Sequence, residues 1–410
     1  MGIFARPKRR TTSGPMPGAS VRVLGIEVAQ AIQNLDNRAP LIRGKDTVVR
    51  LYLQPTGFAK KQSIQGELAI APSPGAPAQY VASANTIELG GSTASALKQQ
   101  RGELKASLNF MLPADVLRWN AISIQVKRIL SQGGEVPVVS GPELTLPLME
   151  APPLRVRAVG LRYKWTKPDG TTVDVSPEAF HFDFLKSFIT RAYPVAELRW
   201  SQVVVQANPL FAPPFSGPTT DDGDDPLWRS KLDLAHNQLA AIRAKDIEGG
   251  VDPRTHYYGL VSDASAGLFF RGAAKDIPEA PDPSVVAVGP VGDPQQYGGL
   301  KWDRERSFAG WYGAHELAHT FGRFHPGFCN QDASDRDFPY ADGRIGDNQH
   351  GDMVGLDMGD PALNLPMQVM KNDVCHDIMT YCDYQWVSSY SYQAILERLR
   401  EEDIKFAPIA

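Results

Sequence analysis

The distribution of apolar and polar positions changes character part-way along the chain. From Ser20 to about residue 150, short runs rich in Val, Ile, Leu and Thr alternate with turn-forming residues. SVRVLGIEVAQAI, DTVVRLYLQP, SIQGELAIAP, ANTIELG, ELKASLNFML, AISIQVKRIL and PVVSGPELTLPLM each read as strand, several with apolar and polar residues in alternation. NLDNRAP and SPGAP supply turns between them. Pro152 and Pro153 in LMEAPPLRV stiffen the chain at a boundary. Beyond it, strands alternate with helices. LRVRAVGLRYKW, LRWSQVVVQ, HYYGLVSD and SVVAVG read as strands. Ser176 with Pro177 is a cap and first-turn pair, followed by Phe180, Phe184 and Phe188 at helical spacing. A second helix begins at Asp225–Pro226 and puts Trp228, Leu232, Ala235, Leu239 and Ile242 on one face. A third runs from about Ser307 to Phe321. The stretch from about 323 to 385 is rich in Asp and Gly and reads as mostly irregular. A last helix starts near Ser388 or Ser389, with Tyr392, Ile395, Leu396 and Leu399 facing inward.

The predicted fold class is therefore multidomain α+β. A basic flexible tail spans 1–19, an all-β sandwich of immunoglobulin-like type spans 20–150, and a mixed α/β domain spans 155–405. No Cys…Trp…Cys pattern accompanies the sandwich, which sets it apart from antibody domains.

Composition narrows the classes. The 410 residues are 42% apolar, enough for large cores and incompatible with global disorder. Forty-two basic side chains against 46 acidic ones give a net charge of −4, which argues against a nucleic-acid binder. No apolar run approaches the roughly 18–20 residues that span a bilayer. The first twenty residues carry basic side chains without a following apolar stretch and do not read as a secretory signal. Three cysteines, Cys329, Cys375 and Cys382, are too few for a disulfide scaffold; Cys329 could pair with either of the others.

The chemistry concentrates in the third helix, WYGAHELAHTFGRFHPGFC. His315 and His319 are four residues apart, so their rings leave the same side of a helix and can share one zinc ion. Gly322 can end the helix with positive φ and turn the chain so that His325 returns as a third ligand. Three protein ligands leave a fourth position for water. Glu316 is rotated about 100° from His315 and can reach that position without ligating. A pattern of this length arises by chance on the order of once in 10⁵ chains. The other histidines (His181, His236, His256, His350 and His376) stand singly and read as structural or surface residues.

HELAHTFGRFH resembles the signature of the metzincin clan of zinc endopeptidases, and the strand–helix alternation of 155–322 is similar to that clan's upper subdomain. The resemblance implies a Met-turn beneath the zinc, for which CHDIMTYC offers Met379, and a tyrosine acting on the reacting centre, for which Tyr381 has the spacing. It also implies an edge strand that pairs with extended substrate; AGLFFR, with Gly267, Leu268 and Phe269, is the segment expected there. The opening VRVLGIEVAQAIQNLDNRAPLIRGKDTVVRLYL is similar to that of bacterial metzincin-like proteins carrying an N-terminal sandwich. No cysteine precedes the motif, which excludes a propeptide cysteine switch within this sequence.

The expected function is thus zinc-dependent endopeptidase action on a protein or peptide substrate. Zinc on His315, His319 and His325 activates water, Glu316 is the general base, and Tyr381 stabilises the oxyanion. The family points to action outside the producing cell. The competing expectation is a surface-binding or adhesion protein whose zinc site does not turn over. Calcium is a further candidate ligand for the acidic loops DDGDD, DASDRD and DGRIGDNQHGD, which otherwise read as solvated loops.

Overall fold

The computed structural model describes residues 18–90, 96–212, 226–262, 272–292 and 302–407. The tail at 1–17, the DDGDD run at 221–225 and the whole of AGLFFR, with Gly267, Leu268 and Phe269, lie outside the described residues. The chain is mixed α+β and divides into two compact units. Among the described residues there are five α-helices: α1 (Leu97–Arg101), α2 (Ala179–Ala192), α3 (Pro226–Glu248), α4 (Ala309–Thr320) and α5 (Ser389–Lys405).

The first unit is dominated by residues 46–148 together with the first strand, Ser20–Ala29. One of its sheets orders Val138–Ser140, Ser20–Ala29, Val48–Thr56 and Leu108–Met111. The other orders Leu144–Pro147, Ala121–Ser131, Gln62–Ala71 and Gln79–Ala82, with two short strands added. All pairings are antiparallel except that of Ser20–Ala29 with Val138–Ser140. The sheets meet where Gly66 leaves room: a Cβ there would lie 2.9 Å from Leu108 and 3.0 Å from Phe110. The expected strand ELKASLNFML begins later than its pattern suggests. Leu104–Ala106 forms a helical turn first, and its Leu104 carbonyl accepts the Asn109 amide at 2.9 Å.

The second unit holds residues 149–410 and also reclaims 30–34 and 38–45 from the N-terminal third. Leu198–Gln206, Leu154–Thr166, His256–Ser262 and Ala287–Val291 form a parallel sheet in that order. Such a sheet must be covered on both faces. Alternation along each strand divides its side chains accordingly. Tyr258, Leu260 and Ala287 face α2 and α4, packing with Leu185, Phe188, Ala314 and Leu317. Tyr257, Val261 and Val288 face α3, packing with Leu232, Ala235 and Leu239. Ala273–Ala274 closes one edge, antiparallel to Ala287–Val291.

One local expectation about a helix start is corrected. Helix α2 starts at Ala179 with Glu178 as its cap residue and no side-chain cap, not at Ser176–Pro177. Val175 is still paired with Tyr163 in a hairpin, so the chain is leaving the sheet through 176–177. The region 323–385 is mostly irregular, as expected, and within it Val354–Asp357 is the centre of a small sheet between Gln368–Met370 and Ile32–Gln33. The last helix starts as expected, with Ser388 capping the Ser391 N–H at 3.1 Å.

Candidate metal centre

Helix α4 is buried along nearly its whole length, which fixes the rotation of its polar residues. Ala314, Leu317 and Ala318 are fully buried, and Gly310 and Gly313 let α2 approach: a Cβ at Gly313 would come within 2.5 Å of Leu185. His315, Glu316 and His319 are themselves only 4–5% exposed.

The helix ends in a Schellman arrangement. Arg323 N–H donates to Ala318 O at 3.1 Å and Gly322 N–H to His319 O at 2.8 Å. Gly322 adopts φ +74°, and a Cβ there would lie 2.7 Å from the Pro278 carbonyl, so glycine is required twice over. The turn returns His325 to the other two histidines. Donor atoms of His315, His319 and His325 all lie within 4.8 Å of one another, the one such group of histidine, cysteine or acidic residues among the described residues.

Ring orientation is set by backbone carbonyls. His315 Nδ1–H donates to Ile378 O and His319 Nδ1–H to Arg323 O, each at 2.6 Å. With the proton held on Nδ1, Nε2 carries the free lone pair. The Nε2 atoms of His315 and His325 lie 3.3 Å apart. Two nitrogens bound to one tetrahedral ion at about 2.0–2.1 Å are separated by about 3.3–3.4 Å. The three residues therefore fit a metal ion of the zinc type, through the chemistry of the donors and the spacing of the pair. Burial holds all three imidazoles neutral: it pushes His315 down to about 4 and His325 to about 3, and His319 well below its ordinary value.

Met379 is 1% exposed and directly follows Ile378, whose carbonyl holds His315. Buried Asp377 shapes this turn: one carboxylate oxygen accepts Met379 N–H at 2.8 Å and the other Ser388 N–H at 3.0 Å. Gln331 ties the loop after His325 to the same turn, donating to Met379 O at 3.0 Å. Cys329 and Cys382 form a disulfide joining those two segments, and Cys375 is a buried free thiol pushed up to about 12. Tyr381 stands at the surface of the cluster, 49% exposed, its ring centre 5.1 Å from that of His325 and 6.1 Å from that of His315. Glu316 lies close enough to Tyr258 that its charge helps hold that buried phenol protonated, after burial itself.

Sequence reasoning missed Ile378, Arg323, Gln331 and Asp377. Two of them act through the main chain, which no side-chain pattern records. The acidic loops spend their carboxylates locally: Asp335 pairs with Arg323 and Tyr390, Asp347 accepts from His350, and Asp352 accepts from Asn372. Of the single histidines, His256 is fully buried between Thr320 and Glu402, and His181 bonds Ser307. No protein-family model matches the chain, and a search of curated proteins finds no match. No described helix is long and apolar enough to cross a membrane.

Proposed function

We propose that this chain is a zinc endopeptidase of the metzincin clan, hydrolysing internal peptide bonds of a protein substrate. The observation that carries this reading is the convergence of His315, His319 and His325 with two of their Nδ1 protons held by main-chain carbonyls. Such bonds orient ligands and raise their basicity. The buried carboxyl of Glu316 next to the first histidine supports catalysis over a purely structural site, which has no use for it. The Ile378 carbonyl that accepts the His315 Nδ1 proton, with buried Met379 after it, supports reading this turn as the Met-turn that the family resemblance implies. In the first unit, two facing and largely antiparallel sheets support an immunoglobulin-like sandwich as an accessory domain.

A zinc ion held by the three imidazoles would supply Lewis acidity, polarising the scissile carbonyl and acidifying water. Glu316 takes the proton of the attacking water and returns it to the departing amine. The Tyr381 hydroxyl donates a hydrogen bond to the carbonyl oxygen as it gains negative charge. The disulfide and Gln331 keep the His325 loop and the Met379 turn in register.

The test is hydrolysis of casein by the zinc-loaded protein, followed by chelation and zinc re-addition, with new termini mapped by mass spectrometry. Internal cleavages that stop on chelation and return with zinc are expected. Cleavage indifferent to chelation, or none by protein carrying one zinc, overturns the reading.

A further inference from the structure

Asp335 belongs to the acidic run DASDRD beyond His325, yet its side chain is only 10% exposed. It reaches two of the three clustered histidines by separate routes. The first runs through the main chain. Asp335 N–H and Ser334 N–H both donate to His325 O, at 2.8 and 2.9 Å, and the Ser334 hydroxyl accepts His325 N–H at 3.2 Å. The N–H and the C=O of His325 are thus both held by residues 334–335. Gly327, at φ +85°, lets the two segments close on each other: a Cβ there would lie 2.3 Å from that of Ala333.

The second route runs through side chains. One carboxylate oxygen of Asp335 accepts from the Arg323 guanidinium at 3.0 Å, and the other accepts from the Tyr390 hydroxyl at 3.0 Å. The same guanidinium lies over the Tyr390 ring, 4.6 Å from its centre. Arg323 is therefore clamped between a carboxylate and an aromatic face, and Tyr390 anchors both to the first turn of α5. The main-chain carbonyl of Arg323 is the group that accepts the His319 Nδ1 proton at 2.6 Å. An exposed ion pair would restrain that peptide little. Here the two side chains are 13% and 10% exposed, so removing the carboxylate leaves a largely buried cation that must turn towards water. Any such movement pulls on the peptide that aims His319.

We propose that Asp335 is a positioning residue of the metal centre. Through Arg323 it aims the ring of His319, and through its own N–H it holds the backbone of His325, so that both lone pairs meet at one ion. This rests on the three histidines being metal ligands, which is the metal-holding half of the endopeptidase reading, and not on hydrolysis.

The test uses the full chain and two readouts. Zinc affinity is measured against a chromophoric chelator, and a long-range 1H–15N spectrum is recorded on zinc-free protein labelled at histidine. Asp335→Ala is expected to bind zinc about 10–100-fold more weakly. In its spectrum the His319 signals should move from a single Nδ1–H form towards a mixture of tautomers, while those of His315, held by Ile378 O, stay where they are. Asp335→Asn keeps the shape and one acceptor oxygen and should fall between wild type and alanine; it carries the same comparison if the alanine variant does not fold. Arg323→Ala should weaken zinc to a similar degree, and the double variant should lose no more than about twofold beyond either, because the route passes through Arg323. Wild-type zinc affinity in the folded Asp335 variants overturns the proposal, and so does full additivity in the double variant. Signals of His315 and His319 that move together show a general loosening and overturn it as well. Wild type that binds no zinc overturns the metal reading together with this proposal, whereas zinc-binding wild type with unchanged Asp335 variants overturns the proposal alone.

Discussion

The imidazole of His315 donates its Nδ1 proton to the carbonyl of Ile378 at 2.6 Å, across 63 residues of sequence. That bond joins the helix carrying the first two histidines to the turn carrying Met379. It ties the turn to the candidate metal centre, because an imidazole whose far nitrogen is fixed has a fixed lone pair. The turn in turn depends on Asp377, which holds the N–H groups of Met379 and Ser388.

Asp377→Ala therefore strands two buried N–H groups, at about 1–3 kcal/mol each. Stability in urea should fall, and zinc affinity should drop about 10–100-fold, although no ligand is changed. Unchanged zinc affinity in a folded Asp377→Ala protein would detach the turn from the metal centre.

Burial keeps the three imidazoles neutral well into acid. A base whose pKa is lowered by folding binds its proton later as pH falls, so protons compete with metal only on approaching pH 4, where His315 titrates. Zinc affinity measured against a chromophoric chelator should change less than about tenfold between pH 7.5 and 5.5. Three imidazoles with the ordinary pKa of about 6.5 would lose on the order of 10³ over that interval. The same depression makes the metal-free fold lose stability below the unfolded-state pKa of about 6.5, because the unfolded chain then binds more protons.

The Cys329–Cys382 bond closes a loop with a sequence separation of 53 between the segments that follow His325 and Met379. Chain-entropy arithmetic gives about 4 kcal/mol for a loop of that size. Cys329→Ser should lower the thermal midpoint and weaken zinc binding, and reductant should do the same to the wild type but not to the variant. Cys375→Ser should behave as wild type towards reductant, because that thiol is buried and held protonated. An identical midpoint with and without reductant in the wild type contradicts a stabilising role for the bond.

Tyr381 is half exposed beside the triad, where it can meet a bound substrate. Tyr381→Phe removes only the hydroxyl. It should lower kcat by about 10²–10³ while zinc content and KM stay near wild type. An unchanged kcat would leave Tyr381 as a wall residue.

Most of the candidate site was legible because its spacing is local. Two histidines one turn apart and a glycine at the helix end are dictated by helix geometry, and Gly322 holds the positive φ expected of it. The alternation of Tyr257 and Tyr258 on opposite faces of a strand is equally local. What escaped is non-local or carried by the main chain. Ile32 reads as the end of the first strand, yet it pairs with Gly355, more than 300 residues away. The Trp386 indole donates to Ala31 O at 2.9 Å and fixes that return. Nothing in the pattern of residues 30–45 distinguishes a strand tip from a segment claimed by another unit. The carbonyls of Ile378 and Arg323 carry no side-chain signature, so the groups that orient the histidines surfaced only in three dimensions.

The central claim is that Glu316 beside a three-histidine zinc site makes this chain a peptidase. The most direct measurement is casein hydrolysis by wild type and Glu316→Ala side by side, with zinc content determined on both. The account predicts one zinc per chain in each protein, cleavage by wild type, and loss of several orders of magnitude in the variant. Comparable turnover by zinc-loaded Glu316→Ala, or no cleavage by zinc-loaded wild type, would contradict it.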